Sequence, residues 1–133
     1  LQVGYHNHDW DLAEFEGQPA YHTFLAHTPE SVLWEADLFW IARAGIDPAV
    51  FLQEIGPRGK VLHFKDGHIT DRSIEIPFLP AGQGEVDLIA AAKVGNDAEY
   101  IAVELDAYDG DMLKAVEQSF LYLTENKIAG SKK

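Results

Sequence analysis

The stretch that decides the fold is "GYHNHDWD", running from Gly4 to Asp11. Its two histidines, His6 and His8, sit two apart in a segment (1–8, "LQVGYHNH") that reads as a strand. Side chains alternate across a strand, so Gly4, His6 and His8 share one face. The same parity recurs three times along the chain. In "SVLWEADLF" (31–39) Leu33, Glu35 and Asp37 share a face. In "KVLHFKD" (60–66) Val61, His63 and Lys65 do, and in "YIAVELDAY" (100–108) Ala102, Glu104 and Asp106 do. Each run begins with small or apolar residues on that face and ends with polar ones.

Helix signals fall between these runs. Pro19 opens one over about 19–28. Asp47 as N-cap and Pro48 at the first helical position start a second, which carries Val50, Phe51, Leu52 and Ile55 and stops at Gly56-Pro57. A long segment from Gly67 to Gly84, with Pro77, Pro80 and Gly82, reads as a loop. Asp87 caps a third helix through about Val94. Met112, Val116, Phe120 and Leu123 give the last one an apolar stripe expected to face a core. Four strand–helix units predict an α/β fold with a parallel sheet. Two architectures fit it: an open four-stranded sheet, or part of a (β/α)₈ barrel.

The 133 residues predict one domain, and a hydrophobic share of 47% suffices for a core. The "GSKK" tail (130–133) reads as a frayed end or an expression remnant. No apolar run approaches the roughly 20 residues of a membrane span, so no membrane partner is expected. The net charge of −12 opposes a phosphate backbone and argues against nucleic acid. The absence of cysteine excludes disulfides and thiolate ligands and fits a cytoplasmic location. Leu1 is not a start methionine, so targeting is not read from that end.

In parallel α/β proteins, ligands bind where the strands end. Imidazoles and carboxylates gathered there suit a divalent cation. Each residue also has a plainer reading. His63 taken alone reads first as a buried, satisfied histidine, Asp37 as the cap of the next turn, and Lys65 as the ion-pair partner of Glu104. His6 and His8 also read as exposed edge residues. Trp10, Phe39 and Trp40 suit a core, or a surface on which a ligand ring packs. The Gly82-Gln83-Gly84-Glu85 turn reads as a plain turn before the Asp87-capped helix, and as a loop closing over a ligand only through the resemblance that follows. His22, His27 and His68 take no role, although His68 follows its strand closely.

Five segments carry a resemblance: "GYHNHDWDL", "LWEADLFWIARAGIDP", "VLHFKDGH", "PAGQGEVDL" and "IAVELDAYDGD". In this order they resemble the sugar phosphate isomerase/epimerase family. That family lies in the xylose-isomerase-like (β/α)₈ superfamily, with endonuclease IV. The resemblance covers nearly the whole chain but only the family's C-terminal half, strands five to eight. It therefore implies a half-barrel over residues 1–133, either a fragment of a longer chain or a unit completed by a partner: the missing N-terminal half or a second copy. An isolated half would leave two open sheet edges.

The resemblance also implies one divalent ion (Mn, Zn, Co or Mg) on a Glu, Asp, His, Glu set. Asp37, His63 and Glu104 match the last three positions, and His6 stands where relatives carry the first Glu. His8 then matches the histidine of the relatives' Glu-Asn-His. The implied activity is isomerisation or epimerisation of a sugar or sugar phosphate through a metal-stabilised enediolate. Glu104 is the candidate base, with His8 or Lys65 as proton carrier or electrostatic stabiliser. His8, Lys65, Asp106 and Trp40 are the candidate substrate contacts. Replacing the first Glu with His6 puts a two-glutamate proton shuttle in doubt. The alternatives are a related lyase or dehydratase, an endonuclease IV-like hydrolase disfavoured by the acidic charge, and an inactive half-barrel scaffold.

Overall fold

A computed structural model describes residues 1–129, and the "GSKK" tail lies outside the described residues. Strand β1 (Val3–His6) leads through a 3₁₀ turn at Trp10–Leu12 into a small hairpin, β2 (Glu14–Phe15) and β3 (Gln18–Pro19). Helix α1 (Ala20–His27), strand β4 (Val32–Asp37) and helices α2 (Leu38–Arg43) and α3 (Pro48–Ile55) follow. Then come β5 (Gly59–Phe64), the two-residue strands β6 (Asp66–Gly67) and β7 (Phe78–Leu79), and α4 (Leu88–Val94). Strand β8 (Tyr100–Val103) and helix α5 (Met112–Glu125) complete the described chain. The main sheet is parallel throughout, in the order β1-β4-β5-β8, so each new strand adds to the same edge.

Alternation sorts the sheet into two faces. Trp34, Ala36, Leu62 and Phe64 point to the helices and are buried against Phe39, Ile41, Phe51, Leu52 and Leu88. Each large apolar side chain so buried contributes about 1.5–3 kcal/mol. The opposite face carries Leu33, Val61 and Ala102, then the polar set. Its register is staggered. His6 pairs with Glu35, Asp37 with His63, and His63 with Ala102. Asp37 and Glu104 each sit two residues beyond a pairing partner of the neighbouring strand, so the polar residues step upward across the sheet.

Aspartates start four of the five described helices. Asp37 accepts from the Trp40 N–H, Asp47 from Ala49 and Val50, Asp87 from Ala90, and Asp111 from Leu113 and Lys114. A carboxylate there satisfies otherwise unpaired N–H groups and complements the helix dipole.

Several expectations need correction. The run 31–39 is strand only to Asp37, because the Asp37 cap turns Leu38–Arg43 into helix. The run 100–108 pairs only to Val103, so Glu104 and Asp106 lie just past the strand end. Strand pairing in the first run is confined to Val3–His6. The 67–84 loop is organised: β6 pairs with β7, and the Asp66 carboxylate accepts from the N–H groups of Gly67, Gly82, Gly84 and Val86. In α5 only Leu123 of the expected stripe is buried; Met112, Val116 and Phe120 are exposed. Ala115 and Ser119 meet the core instead, because small residues let the helix approach closely; the Ser119 hydroxyl also accepts from the Ala81 N–H.

Candidate metal centre

The parity argument brings four side chains together. His6 ends β1, Asp37 ends β4, His63 lies in β5 and Glu104 follows β8. One ligand atom from each lies within 4.8 Å of all the others. His6 Nε2 is 3.5 Å and His63 Nδ1 3.7 Å from Asp37 Oδ2, and Glu104 Oε2 lies against His63 Nδ1. Three of these atoms, His6 Nε2, His63 Nδ1 and Glu104 Oε2, are buried and make no hydrogen bond of regular geometry, although they stand in ion-pair range of Asp37 or of one another. Three such atoms aimed at one point, two imidazole nitrogens and a carboxylate oxygen, fit a divalent cation of the zinc, cobalt or manganese type.

Asp37 caps the next helix, one of its two sequence readings, and also faces the cluster. Oδ1 caps α2 through the Trp40 N–H at 3.0 Å, while Oδ2 faces His6, His63 and Lys65. The cap thus fixes which oxygen is offered to the centre. Burial pushes the Asp37 carboxyl up, but the close approach of His6 and His63, the Lys65 charge and the Trp40 N–H together bring it down to about 2. Burial pushes His63 down, yet Asp37, Glu104 and Glu35 around it hold it up at about 9.

Glu35 was visible on the polar face but carried no assigned role. Its Oε1 lies 2.9 Å from His63 Nε2, which leaves Nδ1 turned to the centre. Carboxylates behind metal-binding histidines orient the ring in this way. Asn7, between the two histidines, is another residue the sequence reading passed over. It is fully buried and bonded to Trp34 and Asp37.

Lys65 is buried beside the centre, 3.4 Å from Asp37, 3.5 Å from Glu104 and 2.7 Å from Asp106. Burial pushes its ammonium group down, but Asp37, Asp106 and Glu104 more than offset this and hold it above its ordinary range. Its Nζ also lies 5.2 Å from the Trp40 ring centroid and 5.0 Å from that of Phe78. His8 stands outside the four-ligand set. Its ring stacks on Trp10 at 4.3 Å and approaches Trp40 at 5.7 Å. Trp10 is exposed, whereas Phe39 is core. A cleft of about 510 Å³ opens beside the centre, lined by Trp40, Phe78, Arg43, Arg72, Asp9 and Asp106 among others. His22 pairs with Glu54, His27 with the Thr23 carbonyl, and His68 with Glu85, so these three lie outside the set.

No family model matches the chain, and no curated protein matches it. Solved structures do. Two crystal structures of sugar phosphate isomerase/epimerase from Parabacteroides distasonis ATCC 8503 align with a TM-score of 0.74 each. The first is 26% identical and the alignment covers 96% of this chain; the second is 23% identical with 98% covered. The chain is built like part of a sugar phosphate isomerase/epimerase. It spans about half the length of these structures, 46% and 47%. The second likeness, at its lower identity, speaks for the fold alone. Among the described residues, no helix is long and apolar enough to cross a membrane.

Proposed function

We propose that this chain is the metal-binding half, strands five to eight, of a divalent-metal-dependent isomerase or epimerase acting on a sugar or sugar phosphate. The observation that carries the reading is the convergence of His6, Asp37, His63 and Glu104 at the ends of four adjacent parallel strands, with their unpaired atoms facing one another. The structural likeness to isomerase/epimerase enzymes supplies the reaction class. A bound divalent cation would supply Lewis acidity to a carbonyl-containing substrate.

The chain's own groups fit proton transfer beside such a carbonyl. Glu104 sits at the rim with its Oε1 toward Lys65 and is the candidate base. Lys65, held charged by three carboxylates, suits electrostatic stabilisation of developing negative charge rather than proton abstraction. His8, partly exposed on the Trp10 ring, suits the second proton carrier. Trp40 and Asp106 line the adjoining cleft, where a sugar would lie.

What this chain leaves open supports a larger fold for the complete protein. Strands β1 and β8 are both edges, and α5 exposes Leu113, Val116 and Phe120 at i, i+3, i+7 spacing. Neighbours twice as long point to a second strand–helix half that pairs with both edges and covers this stripe.

The test is isotope exchange. The complete protein, loaded with Mn²⁺ or Co²⁺, should exchange the hydrogen on the carbon beside the carbonyl of ketose or aldose phosphates in heavy water. Glu104→Gln should stop the exchange, and His63→Ala should lower the metal content by elemental analysis. Full exchange in Glu104→Gln would remove that residue as base. Failure of the wild type to take up any divalent ion would remove the metal reading.

A further inference from the structure

We propose that Asn7 is the positioning residue of the candidate metal centre, holding Asp37 in place relative to His6. The inference rests on the metal reading above. Asn7 directly follows one ligand candidate in sequence and grips another through space. Its side chain points to the helix-covered side of the sheet and is completely buried. Its Oδ1 accepts from the Trp34 Nε1–H at 2.9 Å and from the Asp37 N–H at 3.1 Å, and its Nδ2 donates to the Asp37 carbonyl at 3.4 Å. The amide orientation is fixed by chemistry: both groups facing Oδ1 are obligate donors.

The location gives this grip its consequence. The β1–β4 ladder ends with His6 opposite Glu35, and Asp37 lies beyond that last pair. There the Asn7 side chain takes over from the backbone, bonding both the N–H and the C=O of Asp37. The Asp37 carboxylate is meanwhile tied to α2 through the Trp40 N–H. Asp37 is therefore held by its main chain to β1 and by Oδ1 to α2, and only Oδ2 is left for the centre. Without Asn7, the Asp37 main chain loses its link to β1, and the separation of His6 from Asp37 is no longer set by a direct bond.

A purely structural role would predict a loss of stability and nothing more, so the test separates the two. Co²⁺ affinity and the visible absorption of bound Co²⁺ are measured for the protein, for Asn7→Ala and for Trp34→Phe. The tryptophan variant removes the indole donor but keeps the bonds between Asn7 and Asp37. Asn7→Ala should weaken Co²⁺ binding by about tenfold or more and change the absorption bands, as loss of a supporting residue behind a ligand does. Trp34→Phe should lower the melting temperature yet keep both affinity and bands. If Asn7→Ala does not fold, Asn7→Ser is measured in its place with the same expectation. Unchanged affinity and bands in the Asn7 variant would overturn the proposal, as would an equal loss in Trp34→Phe. A wild type that binds no Co²⁺ would instead overturn the metal reading itself, and this inference with it.

Discussion

Glu35 and His63 form a pair across neighbouring strands: the carboxylate sits 2.9 Å from Nε2 and leaves Nδ1 of the same ring facing Asp37 and Glu104. The ring is thereby held in one orientation, and its bonding capacity is divided between a support and a centre.

Glu35→Gln is expected to weaken Mn²⁺ or Zn²⁺ binding by roughly 10–100-fold, the usual effect of losing a carboxylate behind a metal-binding histidine. Calorimetric titration reads it. An affinity equal to wild type would mean that the ring needs no such support.

Asp66 takes four backbone N–H bonds, two on each oxygen, and so holds the 80–86 turn against β6. Asp66→Asn replaces one acceptor oxygen with an NH₂ that faces N–H groups. A loss of about 2–3 kcal/mol in urea unfolding is expected, from a charged acceptor removed and donors left buried. Gly84→Ala should act in the same direction, because a Cβ there would fall on Asp66 Oδ1. A loss below about 0.5 kcal/mol in Asp66→Asn, the level of an ordinary surface change, would show the turn to be self-supporting.

Away from the centre, Glu54 accepts from the Tyr21 hydroxyl and pairs with His22 at 3.0 Å. Tyr21 first and then His22 hold the Glu54 carboxyl below its ordinary 4.5. A depressed carboxyl gives stability that is present above the unfolded value and is lost as pH falls through the folded one. Burial first and Glu54 second push Tyr21 the other way, upward, so its share is lost only on the alkaline side. Glu54→Gln should therefore lower the melting temperature at neutral pH and flatten its fall below about pH 4.5, so that variant and wild type converge in acid. An acid limb identical to wild type would show that the pair carries no proton linkage.

The exposed stripe on α5 gives a comparison between contexts. If a second half covers the stripe as proposed, Phe120→Ser in the longer protein should cost about 3 kcal/mol, as for a buried aromatic truncated in a core. In the 133-residue chain alone it should change stability by less than about 0.5 kcal/mol. Equal small effects in both would mean that nothing covers the stripe.

The alternation of residues carried much of this architecture into view. A period of two fixes a face, so His6, Asp37, His63 and Glu104 could be aligned before any tertiary contact was known. What stayed hidden depends on distance in the chain. The partners of Asn7 lie 27 and 30 residues away, so no local pattern shows that its amide is committed. Glu35 was on the right face, but its role requires a side-chain orientation at His63. Helix α5 carries two stripes with similar spacing, Ala115-Ser119-Leu123 and Met112-Val116-Phe120. Periodicity favours the larger residues, while close approach to the sheet selects the smaller ones.

The capping aspartates have an effect that reaches past the helices they begin. In a parallel α/β unit every helix that follows a strand starts at the rim where that strand ends. Asp37, Asp87 and Asp111 all start helices on that side, and Asp47 lines a cleft together with Asp87. These carboxylates place part of the chain's acidic charge on the side where His6 and His63 lie, together with the cations Lys65, Arg43 and Arg72. Such a rim enriches cations locally and speeds their arrival, an advantage that fades within a Debye length of about 8 Å at physiological salt. The residues that keep the helices from fraying would thereby also favour the approach of positive ions.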